Sequence, residues 1–201
     1  GNTALDSAIL DIAFISKKLG GPLSNVFAKA VTYDRSDLDN VEILAVYPDA
    51  IKAAIGKNEY LLATSAFLRA NGFACYEDSV DNSYISSLGS ILYMVKNNET
   101  VAKFYIKYAI NPQFETILSG LNDADICVSV RTADPCINND ILLSNLRGKN
   151  HKISVVKGSG IGSLPSTSKN IDSGIISLSG IHNFLKTYIL CDRLGRTIKV
   201  N

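Results

Sequence analysis

The sequence has no tryptophan, one methionine and two histidines, and only 19% of its 201 residues are charged. Globular proteins usually carry about 25% charged residues, so serine, asparagine, threonine and apolar side chains must cover much of this surface. Twenty basic and 19 acidic residues leave a net charge of +1, which argues against sequence-independent binding to nucleic acid. A surface so nearly neutral repels its own copies weakly, and it favours association with a second copy or with another protein.

Long apolar runs and targeting segments are also lacking. No stretch approaches the roughly 18 uninterrupted apolar residues that suggest a membrane span. The first ten residues, GNTALDSAIL, contain no basic residue. The apolar stretch that starts there is interrupted by two acidic residues, Asp6 and Asp11. No signal peptide is therefore predicted in the chain as it stands, and we expect a cytoplasmic protein or a component of a virion.

The four cysteines are too far apart for a Cys-x-x-Cys pair: Cys75, Cys127, Cys136 and Cys191. A chain of this length can bury a core without covalent links, so reduced thiols are predicted. No motif for a cofactor is recognisable, and none is predicted.

Helical patterns dominate the beginning of the chain. Thr3 can cap a first helix, and Gly20 follows its predicted end. Apolar residues recur there at helical spacing: Leu5, Ile9, Ile12 and Ile15. Pro22 opens a second helix, which we predict to reach Val31. The next predictions are a strand over Val41–Tyr47, helices over 49–55 and 59–70, and a short strand over 73–76.

The period of the pattern changes near residue 91. Lysines alternate with apolar residues between Val101 and Ile110, which is typical of a half-buried strand. Asn97 and Asn98 form a plausible turn between this strand and one over 91–96. Further predictions are a helix over 112–120, strands over 126–131, 153–156 and 174–178, and a hairpin of 185–191 with 197–200.

These patterns predict an α+β protein with a helix-rich N-terminal half and a strand- and hairpin-rich C-terminal half, built on a mixed or antiparallel sheet. One domain over residues 1–201 is predicted. A subdivision, if there is one, falls near 79–90 or 120–125.

The most glycine- and serine-rich segment is KGSGIGSLPSTSKN, residues 157–170. A phosphate-binding loop would need GxxxxGK[ST] or GxGxxG at the start of a helix, and neither is present. The segment is interpreted as a flexible connection or as an arm that orders against a neighbouring molecule. Its candidate interaction residues are Gly158, Ser159, Gly160, Gly162 and Ser166.

Asp134, Cys136 and His151 are the candidate catalytic residues, because a cysteine nucleophile needs a base and a group that orients the base. Nothing in their spacing requires them to meet, so this hypothesis depends on their convergence in a pocket.

Asp34, Asp37 and Asp39 form the densest group of acidic residues. They lack the central glycine and terminal glutamate of a calcium-binding EF loop. A solvated turn is the preferred interpretation, and no metal site is predicted.

Three functions remain open from the sequence. The first is a structural protein that assembles into oligomers or particles, for example a viral or phage component, through hairpin edges or the 157–170 segment. The second is a small α/β enzyme that uses Asp134, Cys136 and His151. The third is a monomeric module that binds a peptide or glycan through the acidic loop and a concave, tyrosine-lined surface. Its candidate tyrosines are Tyr84, Tyr93, Tyr105 and Tyr108.

Overall fold

A computed structural model of the protein describes residues 3–27, 38–146, 152–158 and 160–161. The chain is a mixed α+β protein whose N-terminal helices are followed by an antiparallel sheet. The described helices are α1 (Thr3–Leu19), α2 (Gly21–Phe27), α3 (Ser65–Ala70), α4 (Ser79–Ser86), α5 (Pro112–Asp123) and α6 (Asn139–Asn145). The strands are β1 (Val41–Tyr47), β2 (Ala50–Ile55), β3 (Asn58–Ala63), β4 (Ser90–Lys96), β5 (Glu99–Ile106), β6 (Val128–Thr132), β7 (Ile153–Lys157) and β8 (Gly160–Ile161).

The chain divides into two compact units, each assembled from separate segments. The first comprises Gly1–Tyr108, Arg131–Asn138 and Val156–Ser166, and the second comprises Ala109–Val130, Asn139–Val155 and Thr167–Asn201. None of the described helices is long and apolar enough to cross a membrane.

The sheet of the first unit has the strand order β5-β4-β3-β2-β1-β8, with antiparallel pairing throughout. The first five strands are thus joined to their neighbours in sequence as a meander. Side chains alternate between the two faces of a strand, so the register of these pairs decides which residues share a face.

The first face, here called the α1 face, is covered by α1. Its core includes seven residues without solvent-exposed surface: Ile12, Ile15, Leu23, Ile51, Ala53, Leu62 and Leu92. Asp11 of α1 adds a polar contact, because its Oδ2 accepts hydrogen bonds from the Tyr60 hydroxyl at 2.9 Å and from Lys96 Nζ at 3.1 Å. The helix is therefore fixed to the sheet by an apolar stripe and by one carboxylate.

The opposite face packs against α3, α4 and the segment between them. Its buried cluster consists of Ala50, Ala63, Leu68, Ile91, Tyr93 and Val95. Asp81 of α4 has no exposed surface, and it accepts hydrogen bonds from Lys103 Nζ at 2.8 Å and from the Tyr105 hydroxyl at 2.6 Å. It also accepts one from the Asp78 N–H at 3.1 Å, which completes a capping box at the start of α4.

The second unit has its own apolar cluster. Leu118 of α5 is buried with Leu146 and Ile153, and Phe114 and Val128 pack against them. β6 pairs with β7 in a two-stranded sheet. The helix α5 begins at Pro112, as predicted, and Asn111 caps it by accepting a hydrogen bond from the Gln113 N–H at 2.9 Å.

Several elements agree with the sequence patterns. The first helix ends at Leu19 and is followed by Gly20 with φ of 77°, the left-handed conformation that favours glycine. The predicted hairpin is formed by β4 and β5, and Asn97 and Asn98 both have positive φ, as a type I′ turn requires.

The helices predicted over 49–55 and 59–70 are wrong for most of their length. The structure has β2 and β3 there, and a helix only from Ser65. Gly56, with φ of 58°, allows the tight turn between the two strands. Apolar residues occur on both faces of these strands because both faces are covered, so the alternation that marks a half-exposed strand is missing.

The strand predicted over 73–76 is also wrong. This segment pairs with no described strand. It is held by two hydrogen bonds, one from the Phe73 N–H to the Leu68 carbonyl at 3.0 Å and one from Thr100 Oγ1 to the Ala74 carbonyl at 2.8 Å.

Helices α4 and α6 were not predicted. The elements predicted over 174–178, 185–191 and 197–200, and the end of the second predicted helix at 28–31, lie outside the described residues.

Candidate functional site

The structure brings Asp134 and Cys136 together in the turn that follows β6. Asp134 Oδ1 accepts a hydrogen bond from the Cys136 N–H at 2.9 Å, and the Asp134 N–H donates to Thr132 Oγ1 at 3.0 Å. Both residues are buried, with 2% and 3% exposure. His151, the third candidate, lies outside the described residues.

Tyr108 contacts the other oxygen of the Asp134 carboxylate. Its hydroxyl donates to Asp134 Oδ2 at 2.5 Å. Burial raises the pKa of the Asp134 carboxyl, while the bonds from Tyr108 and from the Cys136 N–H act in the other direction. Burial also raises the pKa of the Tyr108 hydroxyl, and the neighbouring Asp134 raises it further. Both oxygens of the Asp134 carboxylate thus accept hydrogen bonds from other groups of the protein.

The beginning of the glycine-rich segment is tied to this turn. Lys157 Nζ donates to the carbonyls of Asp134 and Pro135 at 2.9 and 3.0 Å. Burial lowers the pKa of Lys157, and the negative charges of Asp49 and Asp134 partly oppose this shift. The Gly158 N–H donates to the Thr132 carbonyl at 3.0 Å.

Gly160 continues the segment in β8, where it pairs with Val46 of β1. Ser159, Gly162 and Ser166 lie outside the described residues. The described part of the segment therefore extends the sheet of the first unit.

The surroundings of Asp134 and Cys136 resemble a structural turn more than a nucleophile with its base. Burial raises the pKa of the Cys136 thiol well above its ordinary value, so the sulfur stays protonated and is hardly exposed, whereas a reactive cysteine is an accessible thiolate. A general base must reach a substrate proton, whereas Asp134 is 2% exposed and each of its carboxylate oxygens accepts a hydrogen bond within the protein. These contacts fix the chain where β6 ends.

Only one of the three candidate metal ligands lies in the part of the chain that the structure describes. Asp39 is exposed in the turn before β1, and Asp34 and Asp37 lie outside the described residues. Across residues 3–27, 38–146, 152–158 and 160–161, no three His, Cys, Asp or Glu side chains come close enough together to hold a metal ion.

A pocket of about 180 Å³ opens on the opposite face of the sheet; we call it the aromatic pocket. Three cross-strand neighbours, Lys52, Leu61 and Val95, contribute to its floor, since Lys52 pairs with Leu61 and Leu61 pairs with Val95. One row of the sheet thus supplies two apolar side chains and a lysine to a single concave surface.

Four aromatic residues line the pocket, and one of them, Tyr60, directs its hydroxyl to Asp11 on the α1 face. The other three are Tyr47, Phe67 and Phe73. The rings of Tyr47 and Phe67 are in contact, with centroids 5.4 Å apart and planes inclined by 42°. Thr64 positions Phe67, because Thr64 Oγ1 accepts a hydrogen bond from the Phe67 N–H at the start of α3. The aromatic wall is therefore built on a capped helix and the end of β1.

Polar groups form the remainder of the lining. Lys52 Nζ lies 2.9 Å from Glu59 Oε2, with both side chains partly exposed. Asn97 Oδ1 accepts a hydrogen bond from the Glu59 N–H at 2.9 Å, and its amide donates to Asn58 Oδ1 at 2.9 Å. The opposite charges of Lys52 and Glu59 cancel, so this rim is polar without being charged overall.

The candidate tyrosines do not form the concave surface that the binding hypothesis predicted. Tyr105 and Tyr108 donate to Asp81 and Asp134, and the rings of Tyr84 and Tyr105 pack edge to face at 5.1 Å. Tyr93 is buried, and its hydroxyl has no hydrogen-bond partner among the described residues. Tyr84, Tyr93 and Tyr108 pack in or against the cores, whereas Tyr105 is 45% exposed. The concave aromatic surface was missed because two of its floor residues, Lys52 and Leu61, lie in segments predicted to be helical.

No protein-family model matches the sequence, and no curated protein matches it. Among solved structures, the chain is similar to the crystal structure of a zinc-transporting PIB-type ATPase, with a TM-score of 0.40 and 15% sequence identity. The match covers 76% of this chain and 24% of that one, so this chain spans about a quarter of the length of the ATPase. This similarity is too weak to indicate a function.

Proposed function

We propose that the chain is a binding module and that its aromatic pocket accepts an uncharged apolar or aromatic group of about one ring. The observation that carries this proposal is the concave surface of about 180 Å³ with Tyr47, Phe67 and Phe73 in its lining. Pockets for whole drug-sized ligands usually measure about 300–1,000 Å³, so this one suits a single ring or side chain.

The chemistry of the lining supports an uncharged occupant. Leu61 and Val95 offer apolar contact, and aromatic side chains add about 0.5–1.5 kcal/mol for each ring pair in good geometry. Lys52 and Glu59 already neutralise one another at 2.9 Å. A charged ligand would have to separate this pair or remain without a counter-charge.

The proposal can be tested by titrating isotope-labelled protein with benzyl alcohol and following backbone amide chemical shifts. We expect shifts at Leu61 and Val95, and an affinity lowered roughly threefold to tenfold by Tyr47→Ala, since one aromatic contact is lost. Tyr76→Ala is the matched control, because Tyr76 is 74% exposed and does not line the pocket. Unchanged shifts at Leu61 and Val95 would refute the proposal.

We also propose self-association, as the composition predicted, through the outer edge of β5. Among the described strands β5 pairs with β4 alone, and its Val101 and Tyr105 are each 45% exposed. An edge strand of this kind can add a strand from another copy. A role in a viral or phage particle, one form of such assembly, stays a prediction.

Mass measured by light scattering over a concentration series tests this second proposal. The protein should grow in mass with concentration, and Val101→Lys should suppress the growth because a lysine on an edge opposes pairing. Val80→Lys, on α4, is the control for a charge added at another exposed apolar position. A monomer at every concentration would contradict self-association.

A further inference from the structure

We propose that the natural occupant of the aromatic pocket is an extended peptide segment of a partner protein. The segment inserts an uncharged aromatic side chain between Phe73 and the Tyr47–Phe67 pair, and its neighbouring backbone amide is bound by Lys52 and Glu59. This inference rests on the proposed function, which concerns the ring alone, and it names the molecule that carries the ring.

The size of the pocket is the first argument. A space of about 180 Å³ accommodates one aromatic ring, and a free ligand confined to it has few atoms with which to gain affinity. A peptide brings one ring into the pocket and continues along the protein surface. Interfaces between proteins commonly place such an aromatic anchor in a pocket surrounded by a polar rim.

The Lys52–Glu59 pair is the second argument. Lys52 Nζ donates hydrogen bonds and the Glu59 carboxylate accepts them, and the two groups lie 2.9 Å apart with 41% and 62% of their side chains exposed. A peptide backbone presents the complementary set, a carbonyl that accepts and an N–H that donates, and it carries no charge. Both side chains can bind it while their own contact persists.

Two asparagines extend this pattern along the rim. Asn71 lines the pocket, and its amide nitrogen donates to the Phe67 carbonyl at 2.8 Å, which directs its orientation. Asn98 lies in the left-handed turn between β4 and β5. Each asparagine side chain combines a donor and an acceptor, so the rim offers several groups that match amides and none with an uncompensated charge.

Three neutral probes separate the contributions of ring and backbone. N-acetylphenylalanine methylamide has the ring and two amides, benzyl alcohol has the ring, and N-acetylalanine methylamide has the amides. We expect the first to bind roughly fivefold to tenfold more tightly than benzyl alcohol, as one or two additional hydrogen bonds allow. The third should bind more weakly than either of the others.

Lys52→Met and Glu59→Gln test whether this preference arises at the pair. Each variant should reduce the ratio of the affinity for N-acetylphenylalanine methylamide to the affinity for benzyl alcohol by at least about threefold, and this ratio is the readout because Lys52 and Glu59 also line the pocket that holds the ring. Because both positions are on the surface, each variant is expected to fold, and unchanged backbone amide shifts of the ligand-free variants away from positions 52 and 59 report that the sheet is intact.

The outcomes distinguish this inference from the proposed function. Equal affinities for the two ring probes would overturn the peptide inference and leave ring binding in place. A preference that persists in both variants would also overturn it, since the amide would then be bound elsewhere. If neither ring probe binds, the proposed function and the inference fall together.

Discussion

Three carboxylates of the first unit each accept a hydrogen bond from a tyrosine hydroxyl, yet their surroundings differ. The pairs are Asp11 with Tyr60, Asp81 with Tyr105, and Asp134 with Tyr108. Asp81 also binds Lys103, and its pKa is lowered; burial outweighs the hydrogen bonds at Asp134, and its pKa is raised. Asp81 and Asp134 therefore share the contact with a tyrosine but have opposite pKa shifts. Lys103 bonds directly to the carboxylate of Asp81, whereas Lys157 bonds to the backbone carbonyl of Asp134.

Stability should depend on pH through Asp81. The hydrogen bond from Lys103 lowers the pKa of this carboxyl most, followed by that from Tyr105, and burial opposes both. The folded protein favours the ionised form, so the stabilisation is present above the ordinary aspartate pKa and is lost as the pH falls through the folded value. Denaturation with urea should show a difference between wild type and Asp81→Asn that is largest near neutral pH and shrinks below about pH 4. A difference that grows on acidification would contradict this assignment.

Tyr108→Phe should destabilise the protein by about 1–3 kcal/mol, because it leaves Asp134 Oδ2 buried without its donor. Tyr76→Phe removes the same atom from an exposed side chain and should change the free energy of unfolding by less than about 0.5 kcal/mol. Chemical denaturation of both variants measures the contrast. Equal effects would show that the contact between Tyr108 and Asp134 adds no stability.

Among the helices, α4 depends on close packing against the glycine that precedes β4. A Cβ atom at Gly89 would lie 2.1 Å from Cε1 of Tyr84, a distance that no side chain tolerates. The Tyr84 ring packs against Tyr105, so a displaced ring disturbs the contact between α4 and β5.

Gly89→Ala is therefore expected to destabilise the protein by roughly 1–3 kcal/mol, the usual cost of overpacking. It should also speed hydrogen exchange in α4 selectively. Ser83→Ala, at an exposed position of the same helix, is the control. Unchanged exchange in α4 of Gly89→Ala would show that the ring moves aside without consequence.

Sequence patterns predicted the elements whose signals are local. The β4–β5 hairpin has an Asn-Asn turn and alternating lysines, and α1 has a helical apolar stripe and a terminal glycine; Thr3, the predicted capping residue, is the first residue of the helix instead. In contrast, β2 and β3 are rich in alanine and leucine and are covered on both faces, so their composition suggested helix. The turn at Gly56-Lys57 between two apolar runs is the one local signal that could have indicated a hairpin there.

The aromatic pocket could not be predicted in the same way, because its residues meet only through strand register. Lys52, Leu61 and Val95 become neighbours through two separate strand pairs, and no spacing in the sequence encodes that row. Tyr108 and Asp134 likewise come together across 26 positions. Asp134 and Cys136 are close because they lie in one turn, which needs no long-range pairing.

Each of the two units has a core of its own, and we expect the cores to be perturbed separately. Leu92 is fully buried in the first unit and Leu118 is 1% exposed in the second. Truncation of either to alanine should cost about 2–5 kcal/mol. Hydrogen exchange should accelerate mainly within the unit that carries the change. Uniform acceleration by Leu118→Ala would show that the chain unfolds as one cooperative body, as the prediction of a single domain implies.

The account as a whole depends on where an uncharged ring binds, and nuclear Overhauser effects between ligand and protein measure this most directly. With benzyl alcohol bound, we predict contacts from its ring protons to the methyl groups of Leu61 and Val95, at the floor of the aromatic pocket. Contacts confined to exposed apolar side chains elsewhere, such as Val80 and Ile85 of α4, would contradict the account, and so would the absence of any contact with the pocket.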